Sequence, residues 1–387
     1  MISHRTRSLF LIALGHLAVE LSSQFLPAVY PVLISTLGLS YTQVGTIALV
    51  AGVGTSLAQP FFGYLSDRWD PRHTSALGIA WIGLIMGAVG LTANYAMLVL
   101  IVGLGALGSA AFHPPAATIA SACGGMRRGA AVSVFSIGGS VGSALSPLWV
   151  TAGMRWLGIR GTLLLIPVAL LISALLHRGL GQMPRSGDVY PEERQTPVNK
   201  GAVVSLILIV MAVMSLAWLQ QTFKTYLPIW IQNQGGSVEV GARMLFTLFA
   251  SSGIGSLIGG ALSDRLGRWQ LYALCLGLLG PAVWLFVAVS GSLQGMTVVM
   301  MGVLIGATFP LSIVIAQETW PSRVGIASGL VMGLGWAPGG IGAWITGLVA
   351  DHFSLAAGLR LLAVPTVLGT ACILAYAMVQ RSSPGKA

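Results

Sequence analysis

Charge is what this chain has least of. Asp, Glu, Lys and Arg together make up 8% of its 387 residues, where a soluble chain carries about 25%. So few charges cannot cover a water-facing surface, which excludes the two or three soluble domains that the length alone would suggest. Cysteine is scarce as well: Cys123, Cys275 and Cys372 lie in apolar runs with no CxxC and no nearby His, which argues against a disulfide framework or a zinc site. The six His are dispersed and HExxH does not occur, so no hydrolytic metal centre is indicated. What is abundant is apolar: 55% of residues are hydrophobic and the mean hydropathy is +0.84.

Apolar runs between charge or turn clusters define twelve spans of bilayer length: 8–36, 42–65, 74–92, 95–122, 128–152, 160–178, 201–231, 240–262, 269–290, 294–317, 323–350 and 355–380. The first begins behind His4, Arg5 and Arg7 like a secretory leader, but Glu20 in its middle and the absence of a small-residue cleavage site mark it as a retained helix. The longest polar interval, 179–200, holds Pro184, Pro191 and Pro197 among charges. It is expected to be a cytoplasmic linker between an N-terminal bundle, 1–178, and a C-terminal bundle, 201–387.

Lys and Arg number 20 against 10 Asp plus Glu, an excess that in a soluble protein would point to nucleic acid. With the amino terminus inside, fifteen of the 20 bases fall in cytoplasmic segments, as short cytoplasmic loops require. The excess is therefore topological, nucleic acid is not an expected partner, and both termini are expected in the cytoplasm.

The halves repeat each other. Gly63-Tyr-Leu-Ser-Asp67-Arg68 is echoed by Gly260-Ala-Leu-Ser-Asp264-Arg265 at an offset of 197, Phe112 falls on Phe309 at the same offset, and Arg127-Arg-Gly129-Ala-Ala131 matches Arg323-Val-Gly325-Ile-Ala327 at 196. Parallel six-helix repeats indicate a rocker-type transporter with its site between the halves. An Asp in a tight turn can accept hydrogen bonds from another helix's N-terminal amides. Asp67 with Arg68, and Asp264 with Arg265, are thus candidate conformational latches, Asp67 toward the start of span eleven near Arg323 and Asp264 toward span five near Arg127 and Arg128. The glycines of spans five and eleven, around Pro147 and Pro338, are expected to serve close packing and bending.

Ionisable groups inside a membrane are costly and mark function. His16, Glu20 and Gln24 share one face of the first span at i, i+4 and i+8. Burial favours the uncharged form of both a carboxyl and an imidazole, so Glu20 with His16 is a candidate protonation switch, a fixed ion pair being the plainer alternative. His113 precedes Pro114 and Pro115, where it either takes part in the site or bonds a freed carbonyl. Gln220, Gln221 and Lys224 lie on one side of span seven and are candidates for an anionic substrate, against simple snorkelling of Lys224. Gln24, His113 and Phe309 complete the substrate candidates, while Glu318 at a helix end is expected to pair with a basic loop residue.

Over its full length the chain resembles the major facilitator superfamily, through the 63–72 and 260–268 turns. Within it the chain is similar to the fosmidomycin resistance protein family. The residues that carry this are Gly15-His16 with Glu20, Ser40-Tyr-Thr-Gln-Val-Gly45, Phe112-His113-Pro114, Phe135-Ser-Ile-Gly-Gly139, Ala316-Gln-Glu318 with Arg323-Val-Gly325, and Gly339-Gly340 through Ala350-Asp351-His352. The resemblance implies an all-α membrane protein of twelve helices in two bundles. It further implies a proton-coupled efflux carrier of the bacterial inner membrane that exports a small anionic antibiotic or metabolite, with His16, Glu20 and His113 lining its cavity. Relatives often place an acidic residue after the His-Pro pair, whereas Pro115 stands there in this chain; if that acid carries protons in relatives, coupling here rests on Glu20 or is absent.

The expectation is a monomeric secondary transporter in a lipid bilayer, with a small-molecule substrate, the proton gradient as its energy source, and no cofactor or metal. A symporter or facilitator for a small organic anion such as a monocarboxylate fits the same fold. A membrane enzyme lacks its nucleophile or metal cluster, and a channel is disfavoured by the repeat.

Overall fold

The first predicted span is broken in two. In the protein's structure, a computed structural model, α1 (His4–Ser23) ends one turn before α2 (Leu26–Leu37). Pro27 stands in the first turn of α2, and it has no amide to continue the ladder of α1. The break leaves Glu20 near the middle of the 33-residue stretch Arg5–Leu37. The structure describes residues 4–124, 128–180, 200–320, 327, 330–331 and 338–382; the side chains of His4, Asp67, Arg128, Lys200, Arg381 and Ser382 are outside it.

Gly38, at φ +64°, ends α2 in the left-handed conformation that glycine adopts without strain. The chain continues through α3 (Tyr41–Arg68), α4 (Pro71–Gly87), α5 (Tyr95–Gly124), α6 (Arg128–Leu157) and α7 (Leu165–Gly179). It resumes with α8 (Lys200–Asn233), α9 (Val238–Leu266), α10 (Arg268–Ala288), α11 (Gly291–Thr319), α12 (Pro338–His352), α13 (Leu355–Arg360) and α14 (Ala363–Ser382). Among the described residues every regular element is helical, as a chain that must satisfy its amides inside lipid requires.

Ten stretches of the described residues are long and apolar enough to cross a membrane. One of them, Ala130–Gly179, contains both α6 and α7 around a 3-10 turn, and much of the predicted span 323–350 lies outside the described residues. Large apolar side chains such as Leu57, Leu77, Leu257 and Val367 are more than half exposed. Apolar surface of this extent suits hydrocarbon rather than water, in keeping with the scarcity of charge.

Two compact units result. The first comprises Met1–Leu39, Val53–Glu192 and Leu227–Phe246; the second comprises Ser40–Gly52, Glu193–Tyr226 and Thr247–Ala387. In the first, α1 lies along α6, and α4 is held between α5 and α7. A Cβ on Gly138 or Gly142 would strike the backbone of α1 at Ala13 or Leu17, so these glycines set the α1–α6 distance, the packing role expected of them. Ser146 adds a hydroxyl bond of 2.6 Å to the carbonyl of Leu21. In the second unit α10 packs on α11 and α14.

Asp70 starts α4 by accepting from the amide of Arg72 at 2.9 Å, with Pro71 at the first helical position. Proline suits that position because its missing amide is one of the helix's unpaired ones.

Candidate functional site

Four of the predicted residues converge in the first unit. Oε1 of Glu20 lies 3.3 Å from Nε2 of His113 and 3.7 Å from Nε2 of His16. Its other oxygen, Oε2, accepts from Nε2 of Gln24 at 2.9 Å and from the hydroxyl of Ser143 at 3.2 Å. The carboxylate is 14% exposed, His16 13% and His113 26%. The i, i+4 spacing of His16 and Glu20 therefore does place them together, and Gln24 reaches back across the break after α1.

Both imidazoles are oriented from behind. Nδ1 of His16 donates to the carbonyl of Phe135 at 2.9 Å, and Nδ1 of His113 to that of Ser109 at 2.8 Å. A carbonyl only accepts, so each Nδ1 carries the hydrogen, and each Nε2 of a neutral ring presents a lone pair. The ring of His16 stacks on Phe135, with centroids 4.2 Å apart and planes at 20°, and meets His113 edge-on at 5.2 Å. Gly139 of α6 leaves room for it, because a Cβ there would fall on the imidazole. The prolines that follow His113 sit inside an unbroken α5. They release the carbonyls of Ala110 and Ala111, four residues before each, yet the ring bonds Ser109 instead.

This geometry has a charge consequence. With both rings neutral and Glu20 ionised, two lone pairs face a carboxylate oxygen. One proton, on either Nε2 or on Oε1, turns that repulsion into a hydrogen bond. Meanwhile Oε2 is already satisfied by neutral donors. The arrangement can therefore hold one shared proton, in surroundings of low dielectric where such bonds are strong.

The donor atoms of His16, Glu20 and His113 lie within 4.8 Å of one another, the one such group of three or more potential metal ligands among the described residues. Tetrahedral zinc with bonds of about 2.0–2.2 Å brings its donor atoms to roughly 3.3 Å of each other. The 3.7 Å separation of Glu20 from His16 is wider than this, so the spacing fits hydrogen bonding better than ligation. The dispersal of the six His along the sequence hid this pairing of two of them.

Lys224, Gln220 and Gln221 belong to α8 in the second unit, all three partly buried. Oε1 of Gln220 is buried without a hydrogen-bond partner among the described residues. Phe309 is partly buried on α11 of the same unit, in a helix that continues through Pro310.

At the turns, Asp264 and Arg265 are exposed at the end of α9. Asp264 lines an open cavity of about 350 Å³ with Arg268, Glu318 and Tyr376. Glu318 pairs with Arg268, the basic loop partner expected of it. Arg68 is exposed and lies 4.4 Å over the ring of Tyr64. The side chain of Asp67, all of Arg323 and Arg127, and the side chain of Arg128 lie outside the described residues.

Three features carried no role in the sequence reading. Ser143 bonds Glu20, and Phe135 supplies both a carbonyl and a stacking ring to His16. Asp351 of α12 accepts from the amides of Tyr41 and Thr42. The motifs around Phe135 and Asp351 were visible, but a backbone carbonyl or amide leaves no mark on residue identity.

Comparison with known proteins agrees with this architecture. The chain is 29% identical over 372 residues to the fosmidomycin resistance protein of Escherichia coli, covering 92% of this chain and 90% of that one. It is 27% identical over 379 residues to an uncharacterized MFS-type transporter of Bacillus subtilis, with 95% and 91% covered. Its fold matches a bacterial homologue of the human lysosomal transporter Spinster, in an inward-facing and unoccupied conformation, with a TM-score of 0.79 at 18% identity over the whole of both chains. It matches a D-xylose-proton symporter with a TM-score of 0.77 at 14% identity, covering 99% of this chain and 98% of that one. The model of the Major Facilitator Superfamily matches residues 12–343. An all-α membrane fold in which an ionisable cluster is buried between long apolar helices thus has its family: this chain is a transporter, not an enzyme, and belongs to the Major Facilitator Superfamily.

Proposed function

We propose that the protein is a proton-coupled efflux carrier for a small anionic drug or metabolite, working by alternating access as a monomer in the bacterial inner membrane with both termini in the cytoplasm. The observation that carries the coupling is the placement of Oε1 of Glu20 against two Nε2 atoms whose rings are each fixed by a backbone carbonyl. Such a centre gains or loses one proton at little structural cost. Glu20 and His113 hold the proton, and His16 orients the carboxylate. The turns at Asp67–Arg68 and Asp264–Arg265 act as latches, with Arg323 at one receiving end.

The anionic substrate rests on α8, where Lys224 lies one turn from the unpartnered oxygen of Gln220 and beside Gln221; Gln24 and Phe309 complete its contacts. The relative named for fosmidomycin resistance supports a solute of this charge. The test uses purified protein in liposomes, with fosmidomycin as the probe and an imposed pH gradient. Expulsion against its gradient is expected from wild type. Glu20→Gln is expected to lose gradient-driven transport while retaining one-for-one exchange of solute. Wild-type gradient-driven rates in Glu20→Gln would sink the coupling assignment. Accumulation rather than expulsion would instead make the protein a symporter of organic anions.

A further inference from the structure

Two motifs remain without a role: Ser40-Tyr-Thr-Gln-Val-Gly45 and the stretch from Gly339 to Asp351. In the second unit they meet. Asp351 accepts from the amide of Tyr41 through Oδ1 at 2.9 Å and from the amide of Thr42 through Oδ2 at 2.8 Å. These are the first amides of α3, which have no partner within their own helix. A carboxylate there also meets the positive end of the helix dipole. The hydroxyl of Tyr226, on α8, lies 2.9 Å from the carbonyl of Tyr41 and 3.0 Å from that of Ala343, so its one hydrogen bridges α3 to α12.

Below these polar contacts the two helices touch through glycine. A Cβ on Gly45 would come within 2.7 Å of the backbone of Ala343 and Trp344, and one on Gly340 within 2.7 Å of Cα of Leu49. Ala48 is 2% exposed in this seam. Gly347 is closed in the same way, by the carbonyl of Tyr41 and the hydroxyl of Tyr226. This is a close contact fastened at one end by hydrogen bonds, two of which are accepted by Asp351. It lies at the opposite end of the 28-residue α3 from the Asp67 turn.

We infer that Asp351 is a positioning residue whose carboxylate latches the first turn of α3 to the end of α12, and that this latch opens and closes during the transport cycle. Two charge-assisted bonds and one hydroxyl bridge can be exchanged for water whenever α3 moves off, so they suit a reversible closure. Partial burial opposes ionisation of Asp351, but the hydroxyl of Thr42 and the amides of Thr42 and Tyr41 outweigh it and hold the carboxyl below the usual carboxylate range. The latch is independent of which solute or ion is carried.

The test reads the seam directly. Ala48→Cys is introduced and its reaction with a polar maleimide measured in detergent-purified protein, with the native Cys275 as internal control, since it is 4% exposed and remote in sequence. Asp351→Ala is expected to speed labelling at position 48 about tenfold, and Asp351→Asn, which keeps one acceptor oxygen, less so. Labelling of Cys275 is expected to stay unchanged. If Asp351→Ala does not yield folded protein, Tyr226→Phe removes the hydroxyl alone and is expected to give a severalfold rise. Unchanged labelling at position 48, or a rise matched at Cys275, would overturn the latch.

Discussion

Nε2 of His113 lies 3.3 Å from Oε1 of Glu20, closer than Nε2 of His16 at 3.7 Å, although His16 shares a helix with Glu20 and His113 comes from α5. The partner from the distant helix is thus the better placed to exchange a proton with the carboxylate. The neighbour in sequence is held away from it by its stack on Phe135 and its bond to that residue's carbonyl.

The two imidazoles should therefore separate on mutation. His113→Ala is expected to lower gradient-driven transport of fosmidomycin more than tenfold, as loss of a group that transfers a proton does. His16→Ala should leave a measurable fraction. Initial rates in liposomes, with and without a pH gradient, check the order. Equal losses would show that both rings act as one.

Gly139→Ala tests the support of His16. The added Cβ would fall on the imidazole, so the ring must shift and its bond to Phe135 weaken. A small-to-large change in a packed interior costs about 1–3 kcal/mol. The expected result is folded protein with a lowered melting temperature and impaired gradient-driven transport; wild-type transport would show that the ring's position is not critical.

Lys224→Gln removes the charge on α8 while keeping length and polarity. Binding of an anionic probe such as fosmidomycin is expected to weaken about tenfold or more, the scale of one lost charge-assisted bond. Titration calorimetry at two ionic strengths measures it. Unchanged affinity would assign Lys224 to the membrane interface.

Asp70→Ala removes the cap of α4 together with the ion pair to Arg72 at 3.2 Å. Loss of an N-cap costs about 0.5–2 kcal/mol, so thermal unfolding in detergent should shift down without altering the solute dependence of transport. By contrast, the Arg268–Glu318 pair is substantially exposed on both sides, and its removal is expected to cost less than about 1 kcal/mol.

Acid should weaken the α3–α12 junction. Asp351 has its carboxyl held below the ordinary value of 3.8, so its contribution is fully present above about pH 4 and is lost as pH falls through the lower folded value. The other titratable side chains at this junction are Tyr41, Tyr226 and His352. Hydrogen exchange in the peptide around Tyr41 and Thr42 should quicken on acidification in wild type, after correction for intrinsic rates. Asp351→Asn should lack that component.

Much of this protein is legible in its sequence. The membrane class follows from composition, because 8% charge cannot face water, and the helical fold follows from the need to satisfy every amide within lipid. The His16–Glu20 pair was legible for a local reason, since i and i+4 share a helix face. The pairing of Glu318 with a basic loop residue was legible from its place at a helix end.

What only the tertiary structure decided is how separate helices meet. His113 reaches Glu20, Ser143 saturates its second oxygen, and Asp351 finds the amides of Tyr41 and Thr42. The physical reason is common to all three. Helix periodicity determines which residues share a face, whereas the distance between helices is determined by small residues and backbone atoms. Gly139, the carbonyl of Phe135 and the first amides of α3 express their roles only once two helices are in contact.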